Sequence, residues 1–240
     1  RFFRGRWRLR GVVMAKLMMM TEAEHQRVSD AVRDAEASTA GEIVTIIADT
    51  SDRYLDVALW WSIGIAVLAL TALAAFPEFY TGLVATFTGG WIVEWTLAEA
   101  FELALAVAVI KFVAMRLLLS WMPLRLFLTP GIVKAERVRR RAIRYFKVGA
   151  ERRTSGRTGV LIYLSMAEHR AEIVADEAIH SKVTAETWGE AMAKLVAEVR
   201  EGRLADGMVA AIGDVGKVLS AHFPRAADDV NELPDRLIEL

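Results

Sequence analysis

Residues 57–76 form a run of twenty residues without a single charged side chain. As an α-helix, such a run is long enough to cross the roughly 30 Å hydrocarbon core of a bilayer. Trp60 and Trp61 lie near one end of the run, and Phe79 and Tyr80 follow the other end, where interfacial aromatic residues are expected. The alternative is a buried core helix, which the length and the all-round apolar character disfavour. The run therefore predicts a membrane-spanning helix.

A second and less uniform apolar segment covers residues 100–122. It contains Glu102, Lys111 and Arg116. Lys111 falls near the middle, where an ammonium group costs about 2.5–3.5 kcal/mol on insertion scales. Long basic side chains reduce this cost by extending toward the lipid headgroups. We interpret the segment as the second half of a transmembrane hairpin.

Residues 79–98 join the two apolar segments and contain no Lys or Arg. Their composition fits a third crossing, a re-entrant segment or an interfacial helix. Charge favours the last two, because residues 1–20 carry six Lys or Arg and residues 134–157 carry ten. Positively charged flanks stay in the cytoplasm, and only two crossings place both flanks there. We therefore expect a protein of the inner (plasma) membrane whose soluble domain and both termini are cytoplasmic.

The basic block at residues 134–157 also raises the question of nucleic-acid binding. A block of this kind beside an apolar span is usually a topology signal and less often a nucleic-acid site. Aromatic residues do not alternate with its arginines as base stacking would require. We therefore predict a lipid bilayer and no nucleic acid as partner. The chain has no cysteine, which excludes disulfides, cysteine zinc sites and thiol catalysis.

The segments around the hairpin have the pattern of one soluble α/β domain. Thr21, with Glu24 three residues later, predicts the capping box of a first helix. Residues 43–48, 158–165 and 171–176 are short runs rich in β-branched and apolar residues, which predict buried strands. The last two are close enough in sequence to form an antiparallel hairpin. The first strand has no other partner and must join their sheet, which requires an even number of membrane crossings.

These patterns divide the chain into consecutive parts. Further helices are expected at residues 134–148, 185–201 and 204–222. We predict a basic N-terminal segment at 1–20, an α/β domain split between 21–53 and 129–224, a transmembrane hairpin at 54–128 and an acidic tail at 225–240.

Several stretches of the soluble part resemble the TPM domain family. TEAEHQRVSDAVRDAEASTAGEIVTIIADTSD, which begins at Thr21, resembles the opening helix and first strand of that domain. RTGVLIYLSMAEHRAEIVADEAI resembles its central β-hairpin, and REGRLADGMVAAIGDVGKVLSAHFP resembles its closing helix. A membrane hairpin after the first strand, together with a tail like DDVNELPD, resembles a bacterial membrane-bound subgroup. The resemblance implies a small α/β/α sandwich around a mixed sheet, interrupted here by an inserted transmembrane helical hairpin.

The same resemblance implies a candidate site, because calcium binding and phosphatase activity are ascribed to some members of the family. The acidic residues at strand ends are the implicated groups, and the matching positions here are Asp49, Asp52, Asp176 and Glu177. Calcium is a hard cation that takes six to eight oxygen ligands, which suits carboxylates. The structural alternative is that these acids are solvated turn residues and helix caps.

Other chemistry-bearing residues give weaker patterns. The histidines His25, His169, His180 and His222 show no metal-binding spacing, and no nucleotide-binding or nucleophile-elbow motif is present. Arg152, Arg153 and Arg157 could hold a phosphate group, but beside a membrane span they are better placed for anionic lipid. Catalytic residues are not identifiable at this level.

Two classes of function follow from these observations. The first is a membrane-anchored interaction or regulatory module that acts on membrane complexes and has a membrane protein as partner. The alternative is a metal-assisted, calcium-linked phosphatase. Convergence of the four strand-end acids in one place would favour the second class.

Overall fold

A computed structural model describes residues 3–6, 20–89, 95–149, 158–225 and 237–240. The chain forms two compact units, of which unit 1 comprises Arg1–Asp52 and Gly131–Leu240, and unit 2 comprises Arg53–Pro130. Most of the basic N-terminal segment, the arginines at 152, 153 and 157 and the DDVNELPD stretch lie outside the described residues.

Unit 1 is built on a five-stranded mixed sheet, whose strands are β1 (Phe3–Arg6), β2 (Glu42–Ala48), β3 (Gly159–Ser165), β4 (Arg170–Ala175) and β5 (Ile238–Glu239). Their order in the sheet is β1-β4-β3-β2-β5. β2 pairs in parallel with β3, and β3 pairs antiparallel with β4. The predicted hairpin and the predicted entry of the first strand into the same sheet are therefore confirmed.

Helices cover both faces of this sheet, which gives unit 1 its α/β character. The larger core lies on the face covered by α1 (Glu22–Glu36), α8 (Ala185–Arg200) and α9 (Leu204–His222). The opposite face carries a smaller core under α6 (Gly131–Gly149). Every residue of β3 is buried, because this central strand sends alternate side chains into the two cores. Its run of apolar residues follows from burial on both faces.

The capping box predicted for the first helix is confirmed. The Thr21 N–H donates to Glu24 Oε2 (2.8 Å), and the Glu24 N–H donates to Thr21 Oγ1 (3.3 Å). The hydrogen bonds that the Thr21 N–H and hydroxyl donate to Glu24 lower the pKa of its carboxyl group, since they favour the charged form. Both N-terminal amide donors would otherwise lack a helical partner.

The two edge strands were not predicted, because β1 falls in the basic N-terminal segment and β5 is only two residues long. β1 pairs with β4, and β5 pairs with β2 at Ile46 and Ile47. The Leu240 N–H continues the second edge by donating to the Ile47 carbonyl (2.9 Å). Farther along β2, the Glu36 carboxylate accepts the Ile43 N–H (2.6 Å). Parts of both terminal segments therefore belong to the sheet and close its edges.

Unit 2 is helical and consists of α2 (Leu55–Ala75), α3 (Pro77–Thr88), α4 (Leu97–Leu118) and α5 (Met122–Leu128). α2 and α4 pack against each other, and the small side chains of Ala58 and Ser62 are buried on α2. Small residues let two helices approach closely, as is common in membrane helix pairs.

Among the described residues, α2 is the one helix that is by itself long and apolar enough to cross a membrane. α4 carries four charged residues, Glu99, Glu102, Lys111 and Arg116, and meets the same criterion only together with α5. The axes of α4 and α5 are bent by 106°. α3 has twelve residues, about 18 Å of helix, and is too short to span the bilayer alone.

Arg125 is a buried residue in unit 2 that sequence reasoning missed. Its guanidinium donates to the carbonyls of Leu119 (2.7 Å), Ser120 (3.2 Å) and Arg53 (2.6 Å). It therefore satisfies carbonyls that the end of α4 leaves without helical partners and ties them to Arg53, which lies just before the N-cap residue of α2. The planar fork of an arginine suits such multiple donation.

Two glycines of α9 provide a test of the helix packing in unit 1. A Cβ added at Gly216 would lie 2.7 Å from the Ala35 Cβ on α1, whereas a Cβ at Gly213 would meet nothing within 4 Å. Gly→Ala in a helix interior is favourable by about 0.5–1 kcal/mol when space allows, and overpacking costs about 1–3 kcal/mol. We expect Gly213→Ala to raise the melting temperature of the detergent-solubilised chain and Gly216→Ala to lower it. Stabilisation by both changes would contradict the close α1–α9 contact.

Candidate functional site

The sheet register fixes the positions of the four acids implied by the family resemblance. β2 and β3 are parallel, so their carboxyl ends share one end of the sheet, where Ala48 lies beside Ser165. β4 runs in the opposite direction, and its carboxyl end lies beside the start of β3. Asp49 and Asp52 therefore lie at one end, and Asp176 and Glu177 at the other, roughly 20 Å away. The four acids therefore do not come together at one end of the sheet, because antiparallel β4 reverses the direction of the chain.

Asp176 has a structural role at its end of the sheet. Its side chain is buried, and its carboxylate accepts the Gly159 N–H (3.0 Å). Its own N–H donates to the Gly159 carbonyl (3.0 Å), and it is the N-cap residue of the short helix α7 (Glu177–His180). Asp176 therefore joins the two strands at the open end of the β3–β4 hairpin. Glu177 is exposed on the first turn of α7.

The other two acids also have contacts within unit 1. Asp52 forms an ion pair with Arg137 of α6 at 2.5 Å, with both side chains partly exposed. Asp49 is exposed, its N–H donates to the Leu240 carbonyl (2.9 Å), and its carbonyl accepts the Ala167 N–H (2.9 Å). Backbone hydrogen bonds thus fix the position of Asp49, and the ion pair with Arg137 fixes the side chain of Asp52.

The residues present do not fit the calcium site that the family resemblance implies. Within the described ranges, no group of three or more His, Asp or Glu is placed to hold a metal ion. Calcium takes six to eight oxygen ligands, and the register leaves only two of the four acids at either end of the sheet. The described acids are better explained as capping, pairing and surface groups.

A buried polar cluster lies at the sheet end that carries Asp49 and Asp52. We call it the junction cluster and define it as Ser51, Tyr163, Ser165 and Glu168. Ser51 Oγ is 3.0 Å from the Tyr163 hydroxyl and donates to Ser165 Oγ (2.8 Å). The Glu168 carboxylate accepts the Ser51 N–H (2.9 Å) and the Ser165 hydroxyl. All four residues are buried, so these contacts offset the cost of removing their polar groups from water.

Burial shifts the pKa of one member of the junction cluster, Tyr163, and of a residue beside it, His169. Burial raises the pKa of Tyr163 to about 12, although its hydrogen bond with Ser51 acts in the opposite direction. His169 occupies the left-handed region (φ 51°) in the turn between β3 and β4. Burial and the nearby Lys134 lower its pKa, although Glu168 acts in the opposite direction, and this favours the neutral imidazole.

The junction cluster is one of several contacts that hold the chain where it leaves and re-enters unit 1. Ser51 is anchored to β3 and to the following turn, and the next residue, Asp52, is paired with Arg137. At the re-entry point, the Arg170 guanidinium donates to the Gly131 carbonyl (2.9 Å). β3, β4 and their connecting turn thus hold both segments that flank residues 53–130.

The chemistry of the junction cluster is that of a structural network. Its hydroxyl groups resemble catalytic nucleophiles in type, but the side chains of Tyr163 and Ser165 are fully buried. A substrate atom needs hydrogen-bonding distance to a nucleophile or base, and this burial denies that access. Sequence reasoning overlooked the cluster, although Tyr163 and Ser165 occupy alternate positions of an apolar strand. Their partner Ser51 could not be inferred, because it lies 112 residues from Tyr163.

Comparison with known proteins supports the fold of unit 1. The sequence model of the TPM domain family matches residues 127–218. In structure, the chain is similar to the BA42 protein from the psychrophilic bacterium Bizionia argentinensis sp. nov., with a TM-score of 0.54 and 19% sequence identity. The alignment covers 95% of this chain and 100% of BA42. At this identity the likeness concerns the fold alone. No curated protein matches the chain.

The raised pKa of Tyr163 predicts how stability changes at alkaline pH. The ordinary pKa of tyrosine is 10.0, and that of Tyr163 in the folded chain is about 12. At a pH between these two values the unfolded chain loses the phenol proton and the folded chain keeps it, so the free energy of unfolding falls as the pH rises. Each pH unit in this window costs the wild type up to about 1.4 kcal/mol relative to Tyr163→Phe. At neutral pH the variant should be about 1 kcal/mol less stable, having lost one hydrogen bond. Unfolding by denaturant should show this difference shrinking above pH 10, and a constant difference would contradict the buried position.

The separation of the acids predicts the response to calcium. We expect calcium to leave the melting temperature of the solubilised chain unchanged, since a tightly bound ion would stabilise it by about 2.7 kcal/mol at a hundredfold excess over its Kd. Magnesium at equal ionic strength is the control. A rise specific to calcium and abolished by Asp49→Asn plus Asp176→Asn would overturn this interpretation of the acids.

Proposed function

We propose that this chain, which contains a TPM domain, is a membrane-anchored interaction or regulatory module that acts on protein complexes of the bacterial plasma membrane. The TPM domain would be held at the membrane by unit 2, and unit 1 would present its surface to a membrane protein partner. The observation that carries the proposal is the surface of α2.

The exposed side chains of α2 are apolar around most of the helix. Trp60 is 71% exposed and Leu68 is 62% exposed. Within α2, no charged residue follows Asp56. Soluble monomers rarely show a continuous apolar surface on this scale. The bilayer interior solvates such a surface, so α2 is best explained as a helix in contact with lipid.

The sheet supports two crossings by the inserted unit. β2 precedes unit 2 and β3 follows it, yet they pair over seven residues. Both ends of the insertion therefore need to be in the same compartment, which an even number of crossings provides. α4 begins with a Thr96–Glu99 capping box and has Arg116 in its last turn, the polarity expected for a helix that ends at the cytoplasmic side.

The arrangement of polar groups favours interaction over catalysis. A metal-assisted phosphatase would need the strand-end acids in one place, and the register separates them. The junction cluster is buried and holds the two segments that flank unit 2. A rigid sheet that receives both ends of a membrane insertion suits a module that responds to partners in the membrane.

Topology reporters test the membrane part of the proposal. A reporter active only outside the cytoplasm, fused after Leu240, should be silent, and the same reporter inserted after Gly89 should be active. The physical reason is that the basic flanks of the hairpin resist translocation. The protein should also stay with membranes after alkaline carbonate extraction. An active reporter after Leu240, or release of the protein by carbonate, would contradict the two-span anchor.

Affinity capture tests the functional part. We expect the detergent-solubilised full chain to retain a defined membrane protein in fixed stoichiometry, and the purified chain to release no phosphate from model phosphate esters. Phosphate release that depends on a divalent cation, and is lost with Asp49→Asn or Asp176→Asn, would favour the enzyme instead.

A further inference from the structure

α6 has two chemically different faces. The buried face consists of Ala135, Val138, Ala142 and Phe146, which pack against the sheet. The basic face of α6, defined as Arg140, Arg144 and Lys147, lies on the opposite side and is exposed. These three residues are spaced four and three apart, so they follow one another along one side of the helix. The fold thus presents a row of cations to the solvent.

The charge of α6 is strongly unbalanced. The helix carries seven Lys or Arg and one acid, Glu136. Arg137 is paired with Asp52. Arg140 is paired with Glu136 at 2.9 Å, but these side chains are 70% and 45% exposed, so solvent screens the pair and it stabilises the helix little. An anion that approaches this face can replace that contact.

The position of α6 in the chain narrows the class of anion. Unit 2 ends at Pro130 and α6 begins at Gly131. Because the two are covalently continuous, the start of α6 has to be near any membrane that unit 2 enters. Ile132 in its first turn is 85% exposed. Cytoplasmic leaflets are rich in anionic lipid, and clusters of Lys and Arg beside a span are attracted to it. Arginine also binds phosphate groups with two parallel hydrogen bonds.

We propose that the basic face of α6 binds the headgroups of anionic phospholipids and holds the TPM domain against the cytoplasmic leaflet. This inference rests on the proposed membrane anchoring. It assigns a second, electrostatic contact between the protein and its membrane, separate from the apolar contact made by α2.

The aromatic residues of α6 argue against a nucleic acid as the ligand. Tyr145 packs against Tyr163 of the sheet with ring centroids 5.9 Å apart, and Phe146 is buried. The basic face therefore offers cations without the stacking surface that binding of single-stranded nucleic acid uses. A phosphate-rich lipid surface needs cations alone.

The absence of native cysteine allows a direct test in the full chain. A fluorophore is attached to Val148→Cys, an exposed position near the end of α6. The protein is reconstituted into vesicles of phosphatidylcholine alone or mixed with phosphatidylglycerol, each with a headgroup-linked quencher. We expect strong quenching only with phosphatidylglycerol, and its loss at high salt, where exposed charges are screened.

Charge variants identify the surface responsible. Arg140→Gln, Arg144→Gln and Lys147→Gln together should abolish the response, since each cation changes the ratio of lipid-bound to free helix by about fivefold. The matched control is Arg33→Gln, Arg200→Gln and Lys217→Gln, which removes the same charge from α1, α8 and α9 on the other face of the sheet. The control should retain the response. Equal loss in both variants would overturn the assignment to α6.

The remaining outcomes separate this inference from the anchoring proposal. A protein that resists carbonate extraction but shows the same quenching in both lipid mixtures keeps its anchor and refutes the headgroup contact. A protein that carbonate releases refutes the anchor itself. If single-stranded RNA changes the fluorescence in the absence of vesicles and phosphatidylglycerol does not, the basic face binds nucleic acid and the lipid proposal fails.

Discussion

The parallel pairing of β2 with β3 is the constraint on which the rest of the structure depends. These strands are separated by more than a hundred residues, including all of unit 2, yet they pair over seven positions. Closing so long a loop costs conformational entropy that grows only slowly with its length, and burial on both faces of the sheet offsets that cost. Neither half of the α/β domain can complete its core alone, so the insertion has to return the chain to its starting point.

The contacts around the insertion follow from this constraint. Ser51 joins the junction cluster and Asp52 pairs with Arg137 where the chain leaves, and Arg170 holds Gly131 where it returns. Inside unit 2, Arg125 performs the corresponding task by binding carbonyls before α2 and after α4. These contacts are partly or fully shielded from water, where hydrogen bonds are strongest.

The same sheet decides what the acidic residues can do. Strand ends carry acids in many binding sites, because parallel strands deliver their carboxyl ends to one edge. Here β4 is antiparallel, and Asp176 faces a structural partner, Gly159, at the far end. The apolar helix α2 and the basic helix α6 therefore carry the two membrane contacts proposed above, and the strand-end acids carry neither.

Elements with a local signal could be identified from the sequence. The uncharged run at 57–76, the Thr21–Glu24 capping box and the buried strands are readable because hydropathy, periodicity and capping act over a few residues. The tertiary structure alone decided the edge strands β1 and β5, the separation of Asp49 from Asp176 and the assembly of the junction cluster. These features depend on register and strand direction between distant segments, and a strand's own residues do not encode which neighbour it will meet.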